Sequence, residues 1–150
     1  MENVRNIANW LLSQSSMTHK KLQKLCYYAQ AWYCALYDRT PLFADEIQAW
    51  VHGPVVNSLY HDFADYRWNE ITKTDFDEST LPDDVIEVLE AVYNTYGEFT
   101  GDQLESLTRS EEPWIKTRED LNPWETCDKP ISREVMRSYY AKQYARSQID

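Results

Sequence analysis

"MTHKKLQKLCYYAQAWYCALYD", residues 17–38, decides the fold. Leu22, Leu25, Cys26, Ala29, Tyr33 and Leu36 recur at the spacing of one helical face, which predicts a single long helix running to about Tyr37. Thr18 is a natural N-cap, because its hydroxyl can accept from an orphan backbone N–H. Met17 before it and Leu22 at the fourth helical position form a hydrophobic staple. One local rule is broken. His19, Lys20 and Lys21 occupy the first turn, where the helix dipole disfavours each cation by about 0.3–1 kcal/mol. Two explanations stand side by side: Lys21 or Lys24 answers acidic residues elsewhere or points to water, or the cations serve a function.

Helical signals continue on both sides. Val4, Ile7, Ala8, Leu11 and Leu12 form an earlier amphipathic helix. Pro82 stands at a first helical position, followed by an apolar face of Val85, Val88, Leu89, Val92 and Tyr96, with Gly97 suited to a left-handed C′. Phe99-Thr100 and Gln103-Leu104 read as a capping box with a staple, and Pro113-Trp114 as a short helical turn. Ile131, Ser132 and Met136 open a last helix that turns Val135, Met136, Tyr139, Tyr140 and Tyr144 inward. Strand signal is confined to Glu46–His52, with Ile47, Ala49 and Val51 on one face and Gln48, Trp50 and His52 on the other, and to a weaker run from Trp68 to Thr74. These two runs are expected to pair, with a helix from Pro54 to about Tyr66 between them. The expected fold is mainly α: one domain over residues 1–150, a compact bundle of roughly six helices with a small antiparallel β element.

Charge is regional. The net charge is −10, yet residues 62–105 carry thirteen acids against Arg67 and Lys73, while the remainder is nearly balanced. Such a surface repels nucleic-acid backbone and attracts a basic partner, or simply aids solubility. Cys26, Cys34 and Cys127 have no metal-like spacing and read as free, small hydrophobes in a reducing compartment. His19, His52 and His61 form no metal motif. The three glycines form no phosphate loop, and no nucleophile elbow is present. No catalytic residue, metal or cofactor is expected, and no apolar run reaches membrane length.

The ordered blocks carry a resemblance. Lys21-Leu22-Gln23-Lys24-Leu25 with Tyr27-Tyr28-Ala29-Gln30, then Pro41-Leu42-Phe43 with Glu46-Ile47-Gln48-Ala49-Trp50, then Gly53-Pro54-Val55, resemble the Panacea domain family of SocA-like antitoxins and phage-associated GepA-like proteins. A further block from Leu104 through Leu107-Thr108 to Pro113-Trp114 is similar to a later family segment, with Arg109 where that segment has His. The resemblance implies a cytoplasmic antitoxin that neutralises a cognate protein toxin by direct binding, or by delivering it to a host protease. No direct DNA binding is expected, since DNA-binding members carry an additional helix-turn-helix domain and this chain is acidic.

Lys21, Tyr28, Trp50, His52, Tyr60, Arg109 and Trp114 are the candidate partner-binding residues, and Asp83, Asp84 and Glu87 mark the acidic surface a basic toxin would meet. Trp32, Phe63 and Tyr96 read as core, Trp50 and Tyr60 as core or interface. Two other functions compete: a small enzyme using His52, Lys21 and neighbouring tyrosines to inactivate a toxin or its product, and a phage-encoded inhibitor of a host nucleic-acid enzyme acting through the acidic surface. His52 itself is left between a structural, an interface and a chemical role.

Overall fold

The computed structural model describes residues 1–38 and 40–149. Among them are seven α-helices and one two-stranded antiparallel sheet. In chain order these are α1 (Val4–Leu12), α2 (His19–Leu36), β1 (Ile47–Trp50), β2 (Gly53–Val56), α3 (Asn57–Phe63), α4 (Asp83–Tyr96), α5 (Gly101–Arg109), α6 (Glu112–Thr117) and α7 (Arg133–Ile149). Short 3-10 turns follow α3 and precede α4.

α2 is the axis. It packs against α1, α3, α4, α5, α7 and β2, and is therefore buried on several faces instead of along one stripe. Leu22, Leu25, Cys26, Ala29 and Tyr33 are buried as expected, but Leu36 lies where the bundle has ended and is 45% exposed. Thr18 caps the helix by accepting from the Lys21 amide. The Thr100–Gln103 capping box forms in full, and Ser132 accepts from Val135 N at the start of α7. Met136 and Tyr140 of α7 are buried, Val135 and Tyr139 partly so. Tyr144 projects beyond the bundle and is exposed, contrary to expectation. Tyr96 is core, while Trp32 and Phe63 are partly buried against it. All three cysteines are free, Cys26 and Cys34 buried.

The β element differs most from expectation. β1 pairs not with residues 68–74 but with β2, directly across the Val51-His52 turn, in the register Ile47↔Val56 to Trp50↔Gly53. The near pairing closes a far shorter loop, which costs less entropy. Residues 68–74 contribute one bridge, Met17↔Ile71. Pro54 accordingly belongs to β2, and the next helix begins only at Asn57. A proline is tolerated opposite Ala49 because the Ala49 N–H donates outward, to Lys129 O at 2.9 Å, instead of across the ladder. Lys129–Ile131 thereby cover the outer edge of β1, with Ile131 N donating to Ile47 O.

Two glycine or proline positions also shift. Pro82 is the N-cap of α4 and not its first residue, so the helix begins at Asp83, one residue later than expected. Gly97 has φ −65°, not a left-handed value; it is needed because a Cβ there would collide with the Tyr93 carbonyl. Gly53 has φ +105°, and a Cβ on it would stand 2.9 Å from Thr108 Oγ1 and 3.0 Å from Lys24 Cε. Gly53→Ala is expected to cost about 1–3 kcal/mol from backbone strain and crowding together. A shift of the urea midpoint at constant m-value measures it, and an unchanged midpoint would contradict the close packing.

Candidate functional site

The polar residues of α2 join its neighbours. Gln23 Nε2 donates to Val56 O at 3.1 Å while its Oε1 accepts from Val56 N at 2.8 Å, so one side chain extends the β2 backbone pairing into the helix. Gln30 does the same for the 42–43 loop, donating to Phe43 O and accepting from Leu42 N, both at 2.7 Å. Lys24 is 2% exposed and runs beneath Gly53, with Nζ donating to Pro54 O at 3.2 Å. The Lys-Leu-Gln-Lys-Leu and Ala-Gln segments therefore bind the Pro-Leu-Phe and Gly-Pro-Val segments directly. Sequence reading quoted Gln23, Lys24 and Gln30 within the family blocks, and weighed Lys24 as a partner for acids, but assigned none of them this bracing role. Their signal was the spacing of Gln23, Tyr27 and Gln30 on a second face of the same helix.

Above Lys24 the hairpin turn, the start of α2, the end of α3 and the start of α5 enclose a groove of about 650 Å³. Trp50 and Tyr60 form one wall, with ring centroids 5.0 Å apart, and the edge of His19 meets Tyr60 at 5.7 Å. Glu105 gathers the charges around the opening. It accepts from Lys20 Nζ at 2.7 Å, contacts His52 Nδ1 at 3.0 Å and lies 3.5 Å from Arg109 Nη1. Burial opposes ionisation of Glu105, but the hydrogen bonds from Lys20 and His52 outweigh it and hold its pKa below the usual value. Lys20, not Lys21 or Lys24, is thus the first-turn cation that answers the acidic segment, and it also meets Asp102 at 2.9 Å.

The other expected residues separate. Lys21 points to Gly97 O at 2.5 Å, and no contact joins it to His52. Tyr28 is fully buried, stacked on Tyr96 with centroids 3.9 Å apart. Its hydroxyl and that of Tyr140 both donate to Glu111 Oε1, at 2.6 and 2.9 Å. Burial raises the Glu111 pKa and drives the Tyr28 and Tyr140 hydroxyls well above theirs; the two tyrosines are core residues, and Glu111 closes the cluster from a partly exposed position. Arg109 lies over Trp114 at 5.1 Å and over the exposed Trp124 at 5.4 Å. Trp114 is buried and donates Nε1 to Trp50 O at 2.8 Å, which ties α6 to the hairpin. Trp50, His52, Tyr60, Arg109 and Trp114 accordingly share one corner of the molecule, and Lys21 and Tyr28 lie outside it.

The acidic surface lies on α4. Asp83, Glu87 and Glu90 are exposed and make no ion pair with another described residue, whereas Asp84 is half-buried and accepts from the Tyr33 hydroxyl at 3.1 Å. Beside them, Leu36, Val88, Ala91, Val92 and Tyr144 line an apolar cleft of about 430 Å³ between α2, α4 and α7. Other acids of the 62–105 segment are occupied: Asp62 by Arg5 at 2.7 Å, and Glu78 by the Trp10 indole at 2.9 Å.

Among the described residues no three His, Cys, Asp or Glu side chains are grouped to hold a metal, and no helix is long and apolar enough to cross a membrane. No curated protein and no solved structure matches the chain. A family model does: the one described as antitoxin SocA-like, Panacea domain, matches residues 22–115. That span runs from within α2 to within α6 and takes in the struts from Gln23, Lys24 and Gln30, the hairpin they hold, and the Trp114 anchor. The match covers more than half of the chain, and the protein belongs to the SocA-like antitoxin family defined by the Panacea domain.

Proposed function

We propose that this protein neutralises a cognate, basic protein toxin in the cytoplasm by binding it directly, with the outer face of α4 as the docking surface. Family membership supplies the antitoxin-type role. The observation that carries the docking surface is the pairing of unneutralised Asp83, Glu87 and Glu90 with the adjoining apolar cleft. An apolar centre within a charged rim is the anatomy of a protein interface. The carboxylates accelerate encounter with a basic partner, and Leu36, 45% exposed, and Tyr144, 37% exposed, supply area that loses water on contact. Delivery of the bound toxin to a host protease is a later step of the same reading and requires this contact first. The role is binding, not catalysis.

The double variant Asp83→Lys/Glu87→Lys is expected to weaken toxin binding at least tenfold at low salt, with a smaller difference at high salt as the charges are screened. Leu36→Asp should abolish protection of cells expressing the toxin. The toxin itself is to be sought among neighbouring gene products, as one that is lethal alone and tolerated with this protein. Wild-type affinity in both variants would remove α4 from the interface, and absence of any neutralised neighbour would overturn the function.

A further inference from the structure

The groove above Lys24 has a charge balance unlike the rest of the molecule. In a chain of net charge −10, Lys20, His52 and, from just outside the groove, Arg109 converge on the single half-buried carboxylate of Glu105, while Lys24 lies buried in the floor without a carboxylate of its own; the other acid nearby, Asp102, has a side chain 89% exposed. Lys24 is 2% exposed; among the described residues no carboxylate touches it, and its ammonium group with three N–H donors has one partner there, the Pro54 carbonyl at 3.2 Å. A buried cation so sparsely compensated is costly unless it gives up its proton or a further anion completes it.

The rim carries a second, independent feature. Trp68 is 79% exposed, lines the groove and makes no ring contact with another described residue. The residue before it, Arg67, also lines the groove and has φ +55°, a conformation that side-chain-bearing residues rarely adopt. Strain of this kind persists where surrounding structure holds it, and it clusters at ligand sites. Here it accompanies a flat indole and a guanidinium at the mouth of a cleft whose floor holds an under-compensated lysine.

We propose that this groove is a binding site for a nucleoside phosphate, with the phosphate held by Lys24, His52 and Arg67 and the base stacked on Trp68. The groove's volume of about 650 Å³ lies within the range of small-molecule sites. Aromatic faces accept any base, while a lysine recognises phosphate as a point charge and an arginine as a fork. The 18-residue α2 adds the positive end of its dipole, since Thr18, His19 and Lys20 line the same cleft. A long polyanion is disfavoured because the acidic surface beyond the groove repels it. This site is distinct from the α4 face, so its failure leaves the toxin reading untouched and the reverse also holds.

Titration calorimetry with ADP, UDP, inorganic pyrophosphate and a ten-nucleotide single strand tests the proposal. The expected result is one saturable site for ADP and UDP, with pyrophosphate about tenfold weaker and the oligonucleotide weaker still. Trp68→Ala, at an exposed position, should weaken both nucleotides about tenfold and leave pyrophosphate unchanged. Lys24→Met should weaken all three small ligands at least tenfold, and the exposed Lys116→Met none of them. The proposal is overturned if neither nucleotide saturates at millimolar concentration, if pyrophosphate binds as tightly as the nucleotides, if the single strand binds more tightly than they do, or if Trp68→Ala binds ADP like the unaltered protein.

Discussion

Lys24→Met is expected to raise stability at pH 7 and to flatten its dependence on pH between about 7 and 10. Burial lowers the Lys24 pKa to about 7 from an ordinary 10.5, with the Glu105 carboxylate opposing the shift and Lys20 reinforcing it. Above pH 10.5 the amine is neutral in both folded and unfolded chains and costs nothing. As pH falls from there towards 7, the unfolded chain takes up a proton that the folded chain refuses, so stability decreases. Below about 7 both states are protonated and the penalty is complete, at most ~5 kcal/mol. Methionine has nearly the same volume and no charge, and it leaves only the Pro54 carbonyl without its donor. The net gain at pH 7 is about 2–3 kcal/mol, a rise in Tm of roughly 4–12 °C for a chain of this size. Thermal unfolding at several pH values decides it. A variant less stable at pH 7, with the parent's slope retained from pH 7 to 10, would show that Lys24 is not held against its solvation preference.

Arg118→Ala acts in the opposite direction. Arg118 is buried, 3% exposed, and donates Nη1 to Ala49 O at 2.8 Å and Nη2 to Glu125 O at 2.5 Å. Longer contacts reach Asn122 O and Pro123 O at 3.3 and 3.4 Å, and the guanidinium stacks over Trp114 at 4.9 Å. A charged hydrogen bond contributes about 1.5–3 kcal/mol, and each orphaned buried carbonyl adds a further cost. The expected loss is about 3–5 kcal/mol, with a Tm decrease of roughly 6–20 °C. Arg118→Lys should lose most of the same energy, because one ammonium cannot span the two directions that the planar fork covers. Denaturant unfolding of the two variants checks this, and a lysine variant within 1 kcal/mol of the parent would contradict the bridging role.

Sequence reading succeeded where the determinants are local. The caps at Thr18, Thr100 and Ser132 and the apolar faces of α1, α2 and α4 depend on residues within one or two turns, and apart from the exposed Leu36 they stand where expected. The fold class followed, because helices with one apolar face must pack together. Pro54 was misplaced for the same local reason. A proline suits a first helical turn and also an unpaired strand position, and only the outward hydrogen bond of Ala49 to Lys129, eighty residues away along the chain, selects the strand. Gly97 looked like a left-handed cap because the collision it avoids is with the Tyr93 carbonyl, which composition does not reveal.

The site was legible only in part. Trp50, His52 and Tyr60 stood out as aromatic and titratable residues near a turn, and they do line one groove. Glu105 and Lys24, which organise its charge, were indistinguishable in sequence from other acids and bases of an acidic chain. Tyr28 resembled an interface residue, yet its hydroxyl is consumed by Glu111, a partner 83 positions away. Polar residues acquire their roles through such distant partners, and spacing along one helix does not report them.

α2 touches nearly every other element, and this governs how the protein comes apart. No wall of the bundle can lift away without exposing part of the same central helix, so partial opening recovers little entropy for the contacts it breaks. Amide hydrogens along the middle of α2 should exchange with solvent only through whole-molecule unfolding, all with one common opening free energy under conditions of rapid reclosing. A fragment trimmed at α4 or α7 would then be no smaller version of the protein, and a ligand that tightens the Lys24 groove would slow exchange as far away as Tyr33.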